Sequence, residues 1–171
     1  MQTSLCGGAC PAGYACPKQA TVSPTPCSPG SYCPQEATVA ETLCPRGLHC
    51  PQAATIDPVR CPPGSYCPEE GTVNPVPCPP GQYCPEEATV DPLPCPYPLT
   101  SRNGSTTCSI CLEGFSLVPP AVGDIMTRPD EHCLSCPRNA DCSAPNTTLA
   151  SLSVPAGYWR ASLLTPELYE C

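Results

Sequence analysis

Eleven cysteines of this chain fall on a fixed ladder. Cys10, Cys27, Cys44, Cys61, Cys78 and Cys95 stand 17 residues apart, and Cys16, Cys33, Cys50, Cys67 and Cys84 repeat that spacing six residues further on. The unit reads C-P-x-G-x-Y-C-P-x-x-A-T-V-x-P-x-x, with five copies over residues 10–94. A period this strict is the mark of a tandem array, in which each copy is one small supersecondary unit that depends on its neighbours. Whatever forms must therefore be built from 17 residues and repeated.

Helix is excluded inside such a unit, because each proline removes a backbone donor and biases its predecessor away from helical angles. Pro63-Gly64 and Pro80-Gly81 are turn signals, and a glycine holds the same place in every copy (Gly13, Gly30, Gly47, Gly64, Gly81). Proline sets φ and glycine accepts a positive φ, so a type II turn should recur. The triplet ending Thr21-Val22, Thr38-Val39, Thr55-Ile56, Thr72-Val73 and Thr89-Val90 is β-branched and reads as a short extended stretch that pairs with a neighbour. Tyr32, Tyr66 and Tyr83 should cover proline rings and a disulfide, with His49 as a packing residue in the same slot of the third copy. The fold class expected is small, disulfide-rich and irregular, of short-β tandem repeats forming an elongated rod with a C-terminal cysteine-rich module.

Composition supports staples over an apolar core. The chain has 13 Leu, 3 Ile, 9 Val and one Phe among 171 residues, against 18 Cys, 28 Pro and 12 Gly. That is too little bulk for a doubly wound enzyme or a helical bundle, and no apolar run is long enough to span a membrane. Each disulfide can instead contribute about 2–4 kcal/mol. Seven basic residues face 15 acidic ones, for a net charge of −8. Without a basic stripe, nucleic acid is not an expected partner. So many cysteines point to an oxidising, extracellular or cell-surface location. The start, MQTSLCGGAC, lacks the basic and apolar regions of a signal peptide, so a removed leader or a longer parent protein is expected. Asn103-Gly104-Ser105 and Asn146-Thr147-Thr148 are acceptor sequons for N-linked glycans, and Ser23-Pro24-Thr25-Pro26 is a candidate for O-linked sugars.

Two pairing schemes fit the ladder. One closes the five-residue spacers as Cys10–Cys16, Cys27–Cys33, Cys44–Cys50, Cys61–Cys67 and Cys78–Cys84. It continues as Cys95–Cys108, Cys111–Cys133 and Cys136–Cys142, leaving Cys6 and Cys171 for other partners. The rival closes the ten-residue spacers, Cys16–Cys27 through Cys84–Cys95, with Cys6–Cys10. Sequence does not decide connectivity; the first scheme is preferred.

The pattern changes at Cys95, where Ser101 replaces the second cysteine, and 21 of the 28 prolines lie at or before Pro98. Three segments are drawn: a lead-in over 1–9, the five copies over 10–94, and a degenerate sixth copy with a cysteine-rich module over 95–171. A small core around Phe115, Leu117, Leu134, Trp159 and Leu168 is expected in the last, with a short helix opening at Thr165-Pro166-Glu167.

The string CPYPLTSRNGSTTCSICLEGFSL resembles the ephrin-receptor-like cysteine-rich repeat: Cys-Pro-x-Gly, a polar loop, then C-x-x-C before Gly-aromatic. The upstream 17-mers are similar to a Tyr-Cys variant found in long arrays on surface proteins of protists and algae. CLSCPRNADC and VPAGYWRASLLTPELYEC resemble a segment that closes such arrays, although Pro98 stands where the pattern has glycine. The resemblance implies extracellular architecture without catalysis, and, for an algal source, hydroxylated and glycosylated prolines.

Other chemistry weighs less. Cys108-x2-Cys111 and Cys133-x2-Cys136 have the spacing of a tetrahedral zinc site, but disulfides are favoured in an oxidising chain. Glu69-Glu70 and Glu86-Glu87, with Asn74 and Asp91, lack a dense oxygen-ligand loop for calcium and read as solvated faces. His49 and His132 stand near no nucleophile motif. No metal, cofactor or catalytic residue is expected, and His132 beside Cys133 gains nothing if that sulfur is bonded. The function expected is an extracellular structural protein that self-associates into a glycosylated filament or surface hair. The alternatives are the stalk of a receptor or adhesin and, more remotely, a secreted inhibitor or ligand.

Overall fold

The computed structural model describes residues 10–17, 23–118 and 123–171. Cys6, the lead-in 1–9, and Thr21-Val22 of the first copy lie outside the described residues. The chain divides into two compact units, Met1–Cys78 with Cys84–Pro92, and Pro79–Tyr83 with Leu93–Cys171.

In the first unit every copy is a two-stranded antiparallel hairpin. Tyr14–Ala15 pairs with Thr25–Pro26, Ser31–Tyr32 with Thr42–Leu43, Leu48–His49 with Val59–Arg60, and Ser65–Tyr66 with Val76–Pro77. Each hairpin begins on a turn that ends in the repeated positive-φ glycine. Around Pro29-Gly30, the Ser31 N–H donates to Ser28 O at 2.9 Å, with Gly30 at φ 88°. The glycine is required twice over, since a Cβ on Gly30 would stand 2.5 Å from Gly71 O, two copies downstream. Proline is tolerated in such short strands because a two-stranded hairpin leaves an outer edge without ladder partners.

The Thr-Val triplet is not a strand. Ala37, Ala54 and Ala88 hold φ of 57°, 58° and 57°, with Gly71 at 74° in the equivalent place. The following threonine hydroxyl donates to the carbonyl three residues back, from Thr38 to Gln35 at 2.6 Å and from Thr89 to Glu86 at 2.8 Å. A local side-chain bond of this kind offers the backbone an alternative to a ladder. The second strand falls instead on the residues just before the next cysteine.

Copies are joined by main-chain bonds in a fixed pattern. The turn glycine N–H donates to the second cysteine's carbonyl of the next copy, as in Gly30 to Cys50 at 2.8 Å and Gly47 to Cys67 at 2.9 Å. The second cysteine's N–H donates to the next threonine carbonyl, as in Cys33 to Thr55 at 2.9 Å. The left-handed residue returns a bond to the preceding copy, as in Ala54 N–H to Cys27 O at 2.8 Å. Backbone groups therefore find their partners across copies, so that half-cystines and not aliphatic side chains form the interior. Cys27, Cys33, Cys44, Cys50, Cys61 and Cys67 are all fully buried. The architecture is a disulfide-rich tandem repeat of short antiparallel strand pairs.

The second unit holds the hairpins Gln82–Tyr83 with Leu93–Pro94, Leu99–Thr100 with Ile110–Cys111, Phe115–Leu117 with Cys133–Ser135, and Tyr158–Trp159 with Tyr169–Glu170. One helical turn, Pro129–His132, precedes Cys133. The same joint reappears here without the full motif. Gly114 N–H donates to Cys142 O at 2.9 Å, Cys136 N–H to Gly114 O at 2.8 Å, and Leu117 N–H to Thr147 O at 2.7 Å. Cys111 thus opens a copy in which Leu117 takes the second cysteine's place. Cys136 opens another, with Asn139 (φ 63°) in the glycine slot and Asn146 (φ 62°) in the left-handed slot. Val154-Pro155-Ala156-Gly157 opens a further one, whose two cysteine positions are Val154 and Arg160. There Cys171 N–H donates to Gly157 O at 2.9 Å, as Cys44 does to Gly30.

Two expectations are corrected in this unit. The core is Leu99 with Cys108, Cys111 and Cys133, flanked by Phe115, Leu117, Ile125 and Met126. Trp159 is 50% exposed, because the ring that faces it across the hairpin at 5.1 Å, Tyr169, is itself 43% exposed and shields only one side. Leu134 is likewise exposed, Leu168 only half-buried. No helix starts at Thr165. That segment must supply the return strand Tyr169–Glu170, and Glu167 N–H donates to Thr165 Oγ1 at 3.4 Å in a local turn.

Candidate functional site

The structure joins Cys10 to Cys16, Cys27 to Cys33, Cys44 to Cys50, Cys61 to Cys67 and Cys78 to Cys84, with Cα separations of 6.2–6.3 Å. Cys95 is bonded to Cys108, Cys111 to Cys133 and Cys136 to Cys142, at 5.7, 5.6 and 5.9 Å. All lie within the 4.4–6.8 Å that a disulfide spans. The two C-x-x-C pairs are thereby divided among three bridges, so their sulfurs do not converge on one ion. Among the described residues no group of three His, Cys, Asp or Glu is gathered for a metal. Cys171 is exposed and has no disulfide partner among the described residues.

The histidines lie apart and do different things. His49 is half-buried in the strand slot that tyrosine fills elsewhere, with Nδ1 3.3 Å from Val73 O of the next copy. His132 closes the helical turn, is 5% exposed, and its Nε2 has no hydrogen-bond partner. The acidic pairs face solvent. Glu87 lies 3.7 Å from Arg60, and Asp91 3.9 Å from Arg46, each ion pair joining the third copy to the fifth. Exposed pairs of this kind contribute little stability, but both repeat the register in which a copy meets its next-but-one neighbour.

What the joint leaves open is apolar at recurrent positions. Val59 and Val76 occupy equivalent strand slots and are 50% and 41% exposed; Val39 and Ile56, equivalent to each other, are 63% and 44% exposed. Main-chain atoms hold the copies together, so these side chains are not consumed by folding. No protein-family model matches the chain, and no curated relative is found.

Two grooves mark the second unit. One, of about 630 Å³, is walled by Leu134, Leu149, Pro166 and Leu168, with Arg138 and Glu167 at its edge. The Tyr169 hydroxyl donates to Glu167 Oε2 at 2.6 Å; that bond, then the carboxylate's charge, raises the phenol above the ordinary tyrosine range. Elsewhere in the unit, hydrogen bonds from the Ser143 side chain and its N–H (2.9 Å) hold the Asp141 carboxyl below the usual carboxylate range. The second groove, of about 640 Å³, carries both sequon asparagines, Asn103 and Asn146, beside Ile110, Leu112 and Pro145. Sequence spacing gave no sign that these two sites share a groove; only the hidden copies bring them together.

Arg160 was legible only as a charge. Occupying a cysteine position, its guanidinium donates to the carbonyls of Leu149 and Leu152, and so ties by hydrogen bonds a place where upstream copies use sulfur.

Proposed function

We propose that this chain is an extracellular structural protein whose molecules associate with one another into a glycosylated surface filament. The reading rests chiefly on the joint between copies, in which turn glycines and second cysteines bond the next copy, and left-handed residues the preceding one, through main-chain atoms. Such a joint fixes a repeating scaffold while leaving side chains such as Val59 and Val76 exposed for contact between molecules. Eight disulfides fit a secreted location, where thiols are oxidised. No helix among the described residues is long and apolar enough to cross a membrane. The resemblance to ephrin-receptor-like repeats of surface proteins points the same way, towards architecture and away from catalysis.

Light scattering of the full chain across micromolar concentrations, with negative-stain imaging of the same samples, tests the reading. Mass that grows with concentration and images of filaments support it. A monodisperse monomer throughout overturns self-assembly in favour of a stalk that holds another domain away from a cell.

A further inference from the structure

Asn103 and Asn146 are far apart in sequence, yet both line the 640 Å³ groove whose apolar wall is Ile110, Leu112 and Pro145. An adjoining depression of about 250 Å³ sets Asn146 beside Ser105, the hydroxyl residue of the other sequon. Both asparagines are exposed. Their sequon hydroxyls are ordered by local bonds, Ser105 Oγ to Arg102 O at 2.7 Å and Thr148 Oγ1 with Ser151 Oγ at 2.9 Å. Asn146 sits at φ 62°, a conformation that asparagine tolerates better than most residues. The fold does not demand asparagine there, however, because Ala37, Ala54 and Ala88 hold the same slot upstream at similar φ. The carboxamide is therefore left without a structural explanation in a place where a sequon supplies one.

We infer that Asn103 and Asn146 both carry N-linked oligosaccharides, and that the first sugars of the two chains share this groove and cover Ile110 and Leu112. The inference rests on the secreted location proposed above. In the transfer, the carboxamide nitrogen attacks C1 of a lipid-pyrophosphate-linked sugar. The N–C1 bond forms as the C1–O bond to pyrophosphate breaks, the amide proton is lost, and the lipid pyrophosphate leaves. No oxidant or reductant is involved. The C–H faces of a sugar ring are apolar, and Ile110 and Leu112 give them a surface to cover.

The full chain, secreted from eukaryotic cells, is split into three portions. The first is alkylated without reduction to count thiols. The second is treated with peptide-N-glycosidase in heavy-oxygen water, which leaves a labelled aspartate wherever a glycan stood. In the third, binding of an apolar fluorescent dye is compared before and after deglycosylation under native conditions. Labelling at both positions, with dye binding that rises on deglycosylation and a smaller rise in Leu112→Ser, supports the inference. Ile110→Thr serves as a second variant should Leu112→Ser fail to fold. Bonded cysteines with either asparagine unlabelled overturn the inference and leave the secreted reading intact. Labelling at both with no change in dye binding overturns the shared cover. Alkylatable thiols throughout overturn the secreted reading and the inference together.

Discussion

At the scale of single residues, the positive-φ positions divide into two kinds that a substitution can tell apart. Gly47 has a φ of 81°, and a Cβ there would lie 2.6 Å from Ala88 O. Gly114 has a similar φ but open space around it. Gly114→Ala should cost only the left-handed penalty of about 1–2 kcal/mol, whereas Gly47→Ala adds a further overpacking cost of about 1–3 kcal/mol. Ala37 is the reverse case, an alanine at φ 57°, and Ala37→Gly should gain about 0.5–1 kcal/mol as lost strain outweighs added chain entropy. Urea-unfolding midpoints of the three variants check the order; a Gly47→Ala variant no worse than Gly114→Ala would contradict the next-but-one contact.

Tyr169 supplies a second residue-scale outcome. Its raised ionisation means that the bond to Glu167 contributes below the ordinary tyrosine range and is lost as pH climbs through the raised value. Asp141 runs oppositely: its contribution is present above the ordinary carboxylate range and fades as pH falls. Glu167→Gln should bring the Tyr169 transition down in pH, read by NMR of carbon-labelled tyrosine.

At the scale of the element, the bridges close loops of unequal size. Cys44–Cys50 spans a sequence separation of 6 and Cys111–Cys133 one of 22. Loop-closure entropy gives about 2.4 kcal/mol for the first and about 3.4 for the second, so replacing the Cys111 pair by alanines should cost roughly 1 kcal/mol more than replacing the Cys44 pair. Paired double variants compared by thermal unfolding would show it. The turns were legible in sequence because Pro-Gly carries their geometry in its own covalent structure. Strand position was not: β-branching in Thr38-Val39 suggested extension, but the threonine hydroxyl found a nearer acceptor, and an alanine took up a left-handed angle that no propensity favours. The copies after Cys95 were hidden for a related reason. Their joints run through main-chain atoms of Leu117 and Asn146, where the upstream side chain has been replaced, and the motif survives only in pieces, in Gly114, the Cys136–Cys142 pair, Gly157 and Cys171. The apolar centre was legible in part: Phe115 and Leu117 flank it, but Trp159 and Leu134 lie exposed, because the interior of this chain is mostly sulfur.

At the scale of the whole molecule, net charge and association oppose each other. With a charge of −8 and a sequence pI near 4.5, like molecules repel at neutral pH, and the repulsion is screened within about 8 Å at physiological salt. Association through exposed valines should therefore strengthen as salt rises from low to physiological levels, and again as pH falls towards 5. Sedimentation velocity at two salt concentrations measures this; an assembly that dissolves with added salt would point to ion pairs, such as those of Arg46 and Arg60, as the contact between molecules.

The joint between copies asks almost nothing of side chains beyond glycine and cysteine. Duplication or loss of one 17-residue block would leave every surviving seam chemically identical to the one it replaced. Such a protein can change its length by whole rungs while its outward-facing letters drift independently, and a lineage could adjust reach and surface character as two separate inheritances.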